Sequence, residues 1–155
     1  MRFAKCAFFL SVLIPLLILM TACPKEPARV SLVMNAAANV NPDAQGKPLS
    51  VVVRVYQLKD KGRLESADYN AMLKSDKETL SEDLLDRQER VVQPGAQEIL
   101  EIRANPMANY LGVIALFRSP QVDSWRRVIP ISKSKTQKVS ITLQEQTVVL
   151  STAAK

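Results

Sequence analysis

The chain of 155 residues has 21 Lys+Arg against 15 Asp+Glu, a formal net charge of +6, with no histidine, two cysteines and only 5% aromatic residues. Lack of histidine removes the commonest general base and the commonest metal ligand together, so serine triads and the usual zinc sites are excluded. The basic excess is mild and dispersed, and so few rings offer no stacking platform for bases, which argues against a nucleic-acid partner.

Arg2 and Lys5 precede an apolar run over residues 6–20, and Thr21 and Ala22 lead into Cys23. Positive charge, an uncharged stretch of secretory length and small residues ahead of a cysteine make the pattern of a bacterial lipoprotein signal. Met20 stands where leucine is usual in that pattern. Cleavage is expected between Ala22 and Cys23, removing residues 1–22 and leaving the Cys23 thiol as the attachment point for a diacylglycerol. The apolar part, 7–20, is short for a membrane span of about 20 residues, and Pro15 lies near its centre. Cys6 leaves with the signal, so the mature domain is expected to carry no disulfide.

Residues 23–29 are then the acylated cysteine and a short linker, in which Pro24, Lys25, Glu26 and Pro27 reach roughly 15–20 Å and keep the domain close to its membrane. The domain itself is expected over residues 30–152. Val30, Leu32 and Met34 alternate with Ser31, Val33 and Asn35 as a first strand with one buried face. Residues 37–48 lack periodicity and hold turn chemistry in Asn41-Pro42-Asp43 and Gln45-Gly46. An exposed loop of this kind contributes little to a core, so replacing Asn41-Pro42-Asp43 should leave the thermal midpoint nearly unchanged.

Residues 49–58 give the strongest strand signal, with Val51, Val53 and Val55 on one face and Val52, Arg54 and Tyr56 on the other. Ser66 reads as the N-cap of a short helix in which Tyr69, Met72 and Leu73 share a face, and Ser75 with Glu78 has capping-box spacing for a second start. After these helices come residues 87–92, a Pro94-Gly95 turn, a strand over 99–102 and a nearly all-apolar strand over 110–117, as expected for a central strand covered on both faces. Residues 125–131 follow, with Pro130 confining them to an edge or a bulge. Val139, Ile141 and Leu143 alternate with polar residues, and 146–150 close the set. The reading is an all-β protein: an antiparallel β-sandwich of about eight strands with a small helical insertion between strands 2 and 3.

Nothing in this inventory calls for catalysis. Glu78, Glu82 and Asp83 read as capping and solvated helix charge, not as an acid–base pair. Glycine is scarce and no phosphate-cradling loop is present. Trp125, the single tryptophan, reads as a core or sheet-end anchor. No cofactor and no metal site are expected.

Gly46-x-Pro48 leads into Val51-Val52-Val53-Arg54-Val55-Tyr56-Gln57-Leu58, followed by Ala67-Asp68-Tyr69 with Leu73, Pro94-Gly95, the run Tyr110-Leu111-Gly112-Val113-Ile114-Ala115-Leu116-Phe117-Arg118, and Trp125-Arg126. In this order and spacing, behind the cysteine signal, the chain resembles the TssJ (SciN) family, outer-membrane lipoproteins of the type VI secretion system. The resemblance implies a transthyretin-like sandwich, lipid-anchored through Cys23 to the inner leaflet of the outer membrane and facing the periplasm. It also implies a partner, the periplasmic C-terminal region of the inner-membrane protein TssM, and through it TssL, with no small-molecule substrate. In the family the loop after the first strand is important for the TssM contact. Here that loop is 37–47, with Asn39, Asn41, Pro42, Asp43, Gln45 and Gly46 as candidate contact residues.

The chain departs from the family pattern at Tyr69, where phenylalanine is expected and a hydroxyl must be satisfied. Pro24 follows the cysteine, so the aspartate that commonly retains lipoproteins in the inner membrane is absent. An alternative function, a periplasmic lipoprotein that binds a small ligand or glycan, would require a concave pocket lined by aromatic rings.

Overall fold

A computed structural model describes residues 28–133 and 135–151. The signal, Cys23 and the linker up to Pro27 lie outside the described residues.

The strands are β1 (Arg29–Ala36), β2 (Val51–Leu58), β3 (Leu84–Val92), β4 (Gln97–Arg103), β5 (Tyr110–Leu116), β6 (Arg126–Pro130), β7 (Gln137–Gln144) and β8 (Thr147–Ser151). They build two four-stranded sheets, ordered β4-β1-β7-β8 and β3-β2-β5-β6. Val30, Leu32 and Met34 of β1 and Val139, Ile141 and Leu143 of β7 are buried, so period-2 alternation places their apolar faces between the sheets as expected. Neighbouring strands are antiparallel except for β1 and β7, which run parallel in register from Val30 opposite Gln137 to Ala36 opposite Leu143. Side-chain alternation is the same in either direction, and only the pairing of two distant segments decides between them.

The helical insertion sits between β2 and β3, as expected, and comprises α1 (Gly62–Ser66), α2 (Tyr69–Leu80) and a 3-10 turn (Ser81–Asp83). Two capping expectations are corrected. Ser66 ends α1, its hydroxyl donating to the Gly62 carbonyl at 2.8 Å, and the N-cap of α2 is Asp68, whose carboxylate accepts from the Asn70 and Ala71 amides. Ser75 does interrupt α2, with φ −146° and ψ 51°. Its hydroxyl nonetheless donates back to the Ala71 carbonyl, in place of a capping box with Glu78. The carbonyls of Met72 and Leu73, released by the kink, accept from Arg54 Nη1 at 2.9 and 3.3 Å. Leu73 lies at the rim of the helix face that buries Met72.

These helices form a third layer on the outer face of the β3-β2-β5-β6 sheet. Tyr56, Leu58, Leu64, Met72 and Leu80 are fully buried there. This accounts for the run of apolar residues on β5, whose Leu111, Val113 and Ala115 face the sandwich while Gly112 and Ile114 face the helices. Gly112 is glycine for space: a Cβ would lie 3.0 Å from Leu58 Cδ1 and collide with Leu64 Cδ2. β6 is a sheet edge, where Pro130 is tolerated.

Helix and sheet are locked by a charged network. Asp76, 8% exposed, accepts from Tyr56 Oη at 2.8 Å and Arg87 Nε at 2.7 Å and lies 3.3 Å from Arg54 Nη1. Glu89 accepts from Arg54 Nε and Arg87 Nη2. Burial by itself would raise the Asp76 carboxyl, but hydrogen bonds from Arg87 and Tyr56 and the charges of Arg54 and Arg87 hold it below its ordinary value. The Arg54 hydrogen bond, aided by Arg87, lowers Glu89, and burial raises the Tyr56 phenol.

Tyr69 and Trp125 meet edge to face with centroids 5.1 Å apart, and Arg126 lies over the indole at 4.8 Å. The hydroxyl that tyrosine adds is satisfied by the Phe117 carbonyl at 2.5 Å. Trp125 is buried at the end of the sheet, as the sequence reading expected.

A loop crown at one pole of the sandwich

Strand directions sort the connections into two poles. Loops 37–50, 93–96, 117–125 and 145–146 cluster at one end, because β1, β3, β5 and β7 finish there. The start of β1, loop 104–109 and the turn after β6 lie at the other.

Loop 37–50 is wired into the first pole. Val40 is fully buried and Asn41 is only 5% exposed. Asn41 adopts φ +50°, a left-handed conformation that asparagine tolerates better than most residues. Its Nδ2 donates to the Ser50 carbonyl at 2.8 Å, and its Oδ1 accepts the Arg118 amide at 2.8 Å. Its own amide donates to the Glu145 carbonyl at 2.6 Å. Asp43 Oδ1 accepts the amides of Gln45 and Lys47, and the Gly46 amide donates to the Asp43 carbonyl. Gly46 takes φ +80°, which closes this turn without a Cβ penalty.

Only part of the loop is therefore an exposed surface connection. Among the sequence-nominated residues, Asn39, Gln45 and Gly46 are exposed, with Asn39 Nδ2 donating to Glu145 Oε1 at 2.8 Å. Pro42 and Asp43 are half-buried, and Asn41 has its amide committed on both sides. The surface on offer is a rigid, mostly uncharged tip: Ala38, Asn39, Ala44, Gln45, Gly46 and Lys47. Arg118 and Glu145, which brace this tip, were not nominated from sequence; both are distant along the chain and carry no local signal.

At the opposite pole a cleft of about 540 Å³ opens between β3 and β4, lined by Gln57, Leu85, Asp86, Arg103, Ala104, Asn105 and Pro106. Its lining holds no aromatic ring. Gln57 is saturated, donating to Asp86 Oδ2 and the Arg103 carbonyl and accepting the Asn105 amide. Among the described residues no group of His, Cys, Asp or Glu is placed to hold a metal ion.

Fold and crown together define a two-sheet β-sandwich in which hydrogen bonds stiffen one polar loop. The chain belongs to the type VI secretion lipoprotein family (SciN; VasD, EvfM, TssJ), whose model matches residues 28–146. This is a lipoprotein family of a secretion machine and not an enzyme family. The chain is similar to the type VI secretion lipoprotein TssJ1 from Pseudomonas aeruginosa, at 31% identity and a TM-score of 0.74, covering 83% of this chain and 99% of that one. It is also similar to a chain of a solved type VI membrane complex, at 32% identity and a TM-score of 0.75, covering 81% and 99%. A third similar chain belongs to a structure described as the TssM C-terminal domain from EAEC, at 30% identity and a TM-score of 0.72, covering 81% and 98%. Among curated proteins, no relative matches the chain.

Proposed function

We propose that this protein is a noncatalytic outer-membrane lipoprotein that ties the periplasmic C-terminal region of TssM, and through it TssL, to the outer membrane. Residues 1–22 are its cleaved signal, 23–29 its acylated cysteine and linker, and 30–152 its sandwich. With Pro24 after Cys23 it is sorted to the outer membrane and faces the periplasm from the inner leaflet.

The observation that carries this reading is the polarity of β1. Its first residue, Arg29, follows Cys23 by only a short linker, and its last, Ala36, opens the crown loop. An eight-residue strand rises about 26 Å at about 3.3 Å per residue, so the lipid end and the crown are held apart by the length of the sandwich. A tethered domain built this way presents loop 37–47 away from its own membrane, towards a protein that reaches across the periplasm. Similarity to chains in the structures described as a TssM C-terminal domain and a type VI membrane complex supports the same partner.

The test is a titration of the lipidated protein, in detergent, against the periplasmic C-terminal region of the TssM encoded beside it. Saturable binding is expected, weakened about tenfold or more by Ala44→Glu with Lys47→Glu, which alter only the exposed tip. Full affinity in that variant would remove the tip from the interface. Absence of binding by the unaltered protein would sink the TssM reading.

A further inference from the structure

The pole from which the lipidated terminus leaves is itself a basic surface. Arg29 and Arg103 are direct cross-strand partners on β1 and β4, a like-charge pairing that disfavours the sheet where nothing compensates it. Lys138 sits opposite Ser31 one strand over, and Lys133 and Lys135 occupy the turn between β6 and β7. All are exposed, and none is in an ion pair with a described carboxylate. Three carboxylates share this end: Asp86, engaged by Gln57 and Gln88, Glu101, which accepts from the Ser31 hydroxyl at 2.6 Å between Arg103 and Lys138, and Asp60, flanked by the exposed Lys59 and Lys61, so the cations still outnumber them. The crown is balanced in charge, with Lys47, Arg118 and Arg126 set against Asp43, Asp123 and Glu145, and Arg126 paired to Asp123 at 2.7 Å.

An apolar tip stands in the middle of this basic pole. Met107 is 61% exposed at the end of loop 104–109. The loop is held out by Lys133, whose Nζ donates to the Pro106 carbonyl at 2.9 Å and to the Ala108 carbonyl, and by Asn105 Oδ1, which accepts the Met107 amide.

We infer that this pole docks on an anionic phospholipid surface, with the basic side chains against the headgroup phosphates and Met107 at the acyl boundary. The inference rests on the reading of Cys23 as the lipid anchor, which brings this pole and no other within linker reach of the bilayer. Basic clusters beside an anchor are attracted to anionic lipid within a Debye length, and an acyl anchor with a basic patch holds more firmly than either does separately. Docking would set the strands upright on the membrane and fix the direction in which the crown points.

The experiment uses the lipidated full-length protein in vesicles of phosphatidylethanolamine and phosphatidylcholine, with or without about a third phosphatidylglycerol. With Cys23 acylated, Met107→Cys provides a site for an environment-sensitive fluorophore, and Gln45→Cys provides a control at the crown. The label at position 107 is expected to shift to the blue only on vesicles containing phosphatidylglycerol. The shift should be abolished at 1 M NaCl, where the Debye length is about 3 Å, and at least halved by Arg103→Gln with Lys138→Gln, while the crown label stays in water throughout.

A label at 107 that remains in water although the protein floats with phosphatidylglycerol vesicles would overturn the proposal. So would a shift that survives both salt and charge removal, or one seen only in native membranes, which would assign the pole to a protein partner. Loss of flotation at 1 M NaCl would instead refute the acyl anchor, and with it the docking geometry. Unchanged cooperative unfolding of the glutamine variant separates lost docking from lost folding.

Discussion

Asn41 Oδ1 accepts the backbone amide of Arg118 at 2.8 Å, joining residues 77 positions apart and fastening the first long loop to the end of the central strand. The same side chain donates to Ser50, so a single amide closes the base of the crown from both sides.

Asn41→Ala would leave the Ser50 carbonyl and the Arg118 amide without this partner and would put alanine at φ +50°. A loss of about 1–3 kcal/mol in unfolding free energy is expected by urea denaturation. This replaces the expectation that Asn41-Pro42-Asp43 is thermally neutral, because Asn41 is buried. Stability within a few tenths of a kcal/mol of the unaltered protein would show that the amide is not a pin.

Acid should unfold the protein through the network under α2. The folded-state values of Asp76 and Glu89 lie below their ordinary 3.8 and 4.5. A lowered carboxyl stabilises the fold above its ordinary value, and that contribution disappears as pH falls through the lowered one. The thermal midpoint should therefore be flat from pH 7 to about 5 and fall steeply below about 4. Asp76→Asn should flatten much of this acid limb and cost about 3 kcal/mol at neutral pH, since Arg54 and Arg87 lose the buried one of their two shared carboxylate charges and keep only that of Glu89. On the alkaline side the raised Tyr56 phenol works the other way: its contribution is intact below 10.0 and declines as pH rises beyond it. An acid limb identical in Asp76→Asn would locate acid sensitivity elsewhere.

Gly112→Ala should destabilise the fold by about 1–3 kcal/mol, because the new methyl collides with Leu64 and crowds Leu58 beneath α1. Pairing it with Leu64→Ala should recover part of the loss, as each change removes a clash or fills a space that the other creates. Additive losses in that double-mutant cycle would mean that α1 is not what constrains β5.

Cys23→Ser should yield a domain with the same unfolding midpoint as the lipidated protein but recovered in the soluble periplasmic fraction, with secretion abolished in cells. Mass spectrometry of the purified protein reports the acyl chains directly. A fully active, soluble Cys23→Ser strain would defeat the tethering argument.

Sequence by itself determined what depends on neighbours along the chain. Period-2 alternation set the inward faces of β1 and β7, and the unbroken apolar run marked β5 as covered on both sides. The helical insertion was legible from its change of period, and the ordered strand motifs disclosed the family matched over residues 28–146. Caps were less legible, because Ser66, Asp68 and Ser75 all have side chains that bond backbone in several local geometries.

Tertiary structure decided what depends on pairing between distant segments. The parallel β1–β7 contact, the role of Gly112 under Leu64 and the burial of Asn41 each join residues with no common local pattern. Composition marked loop 37–47 as polar, but a polar side chain is equally at home in water or in a saturated buried hydrogen-bond set. Only the fold, by bringing Ser50, Arg118 and Glu145 around Asn41, separated the residues that hold the crown together from those it exposes.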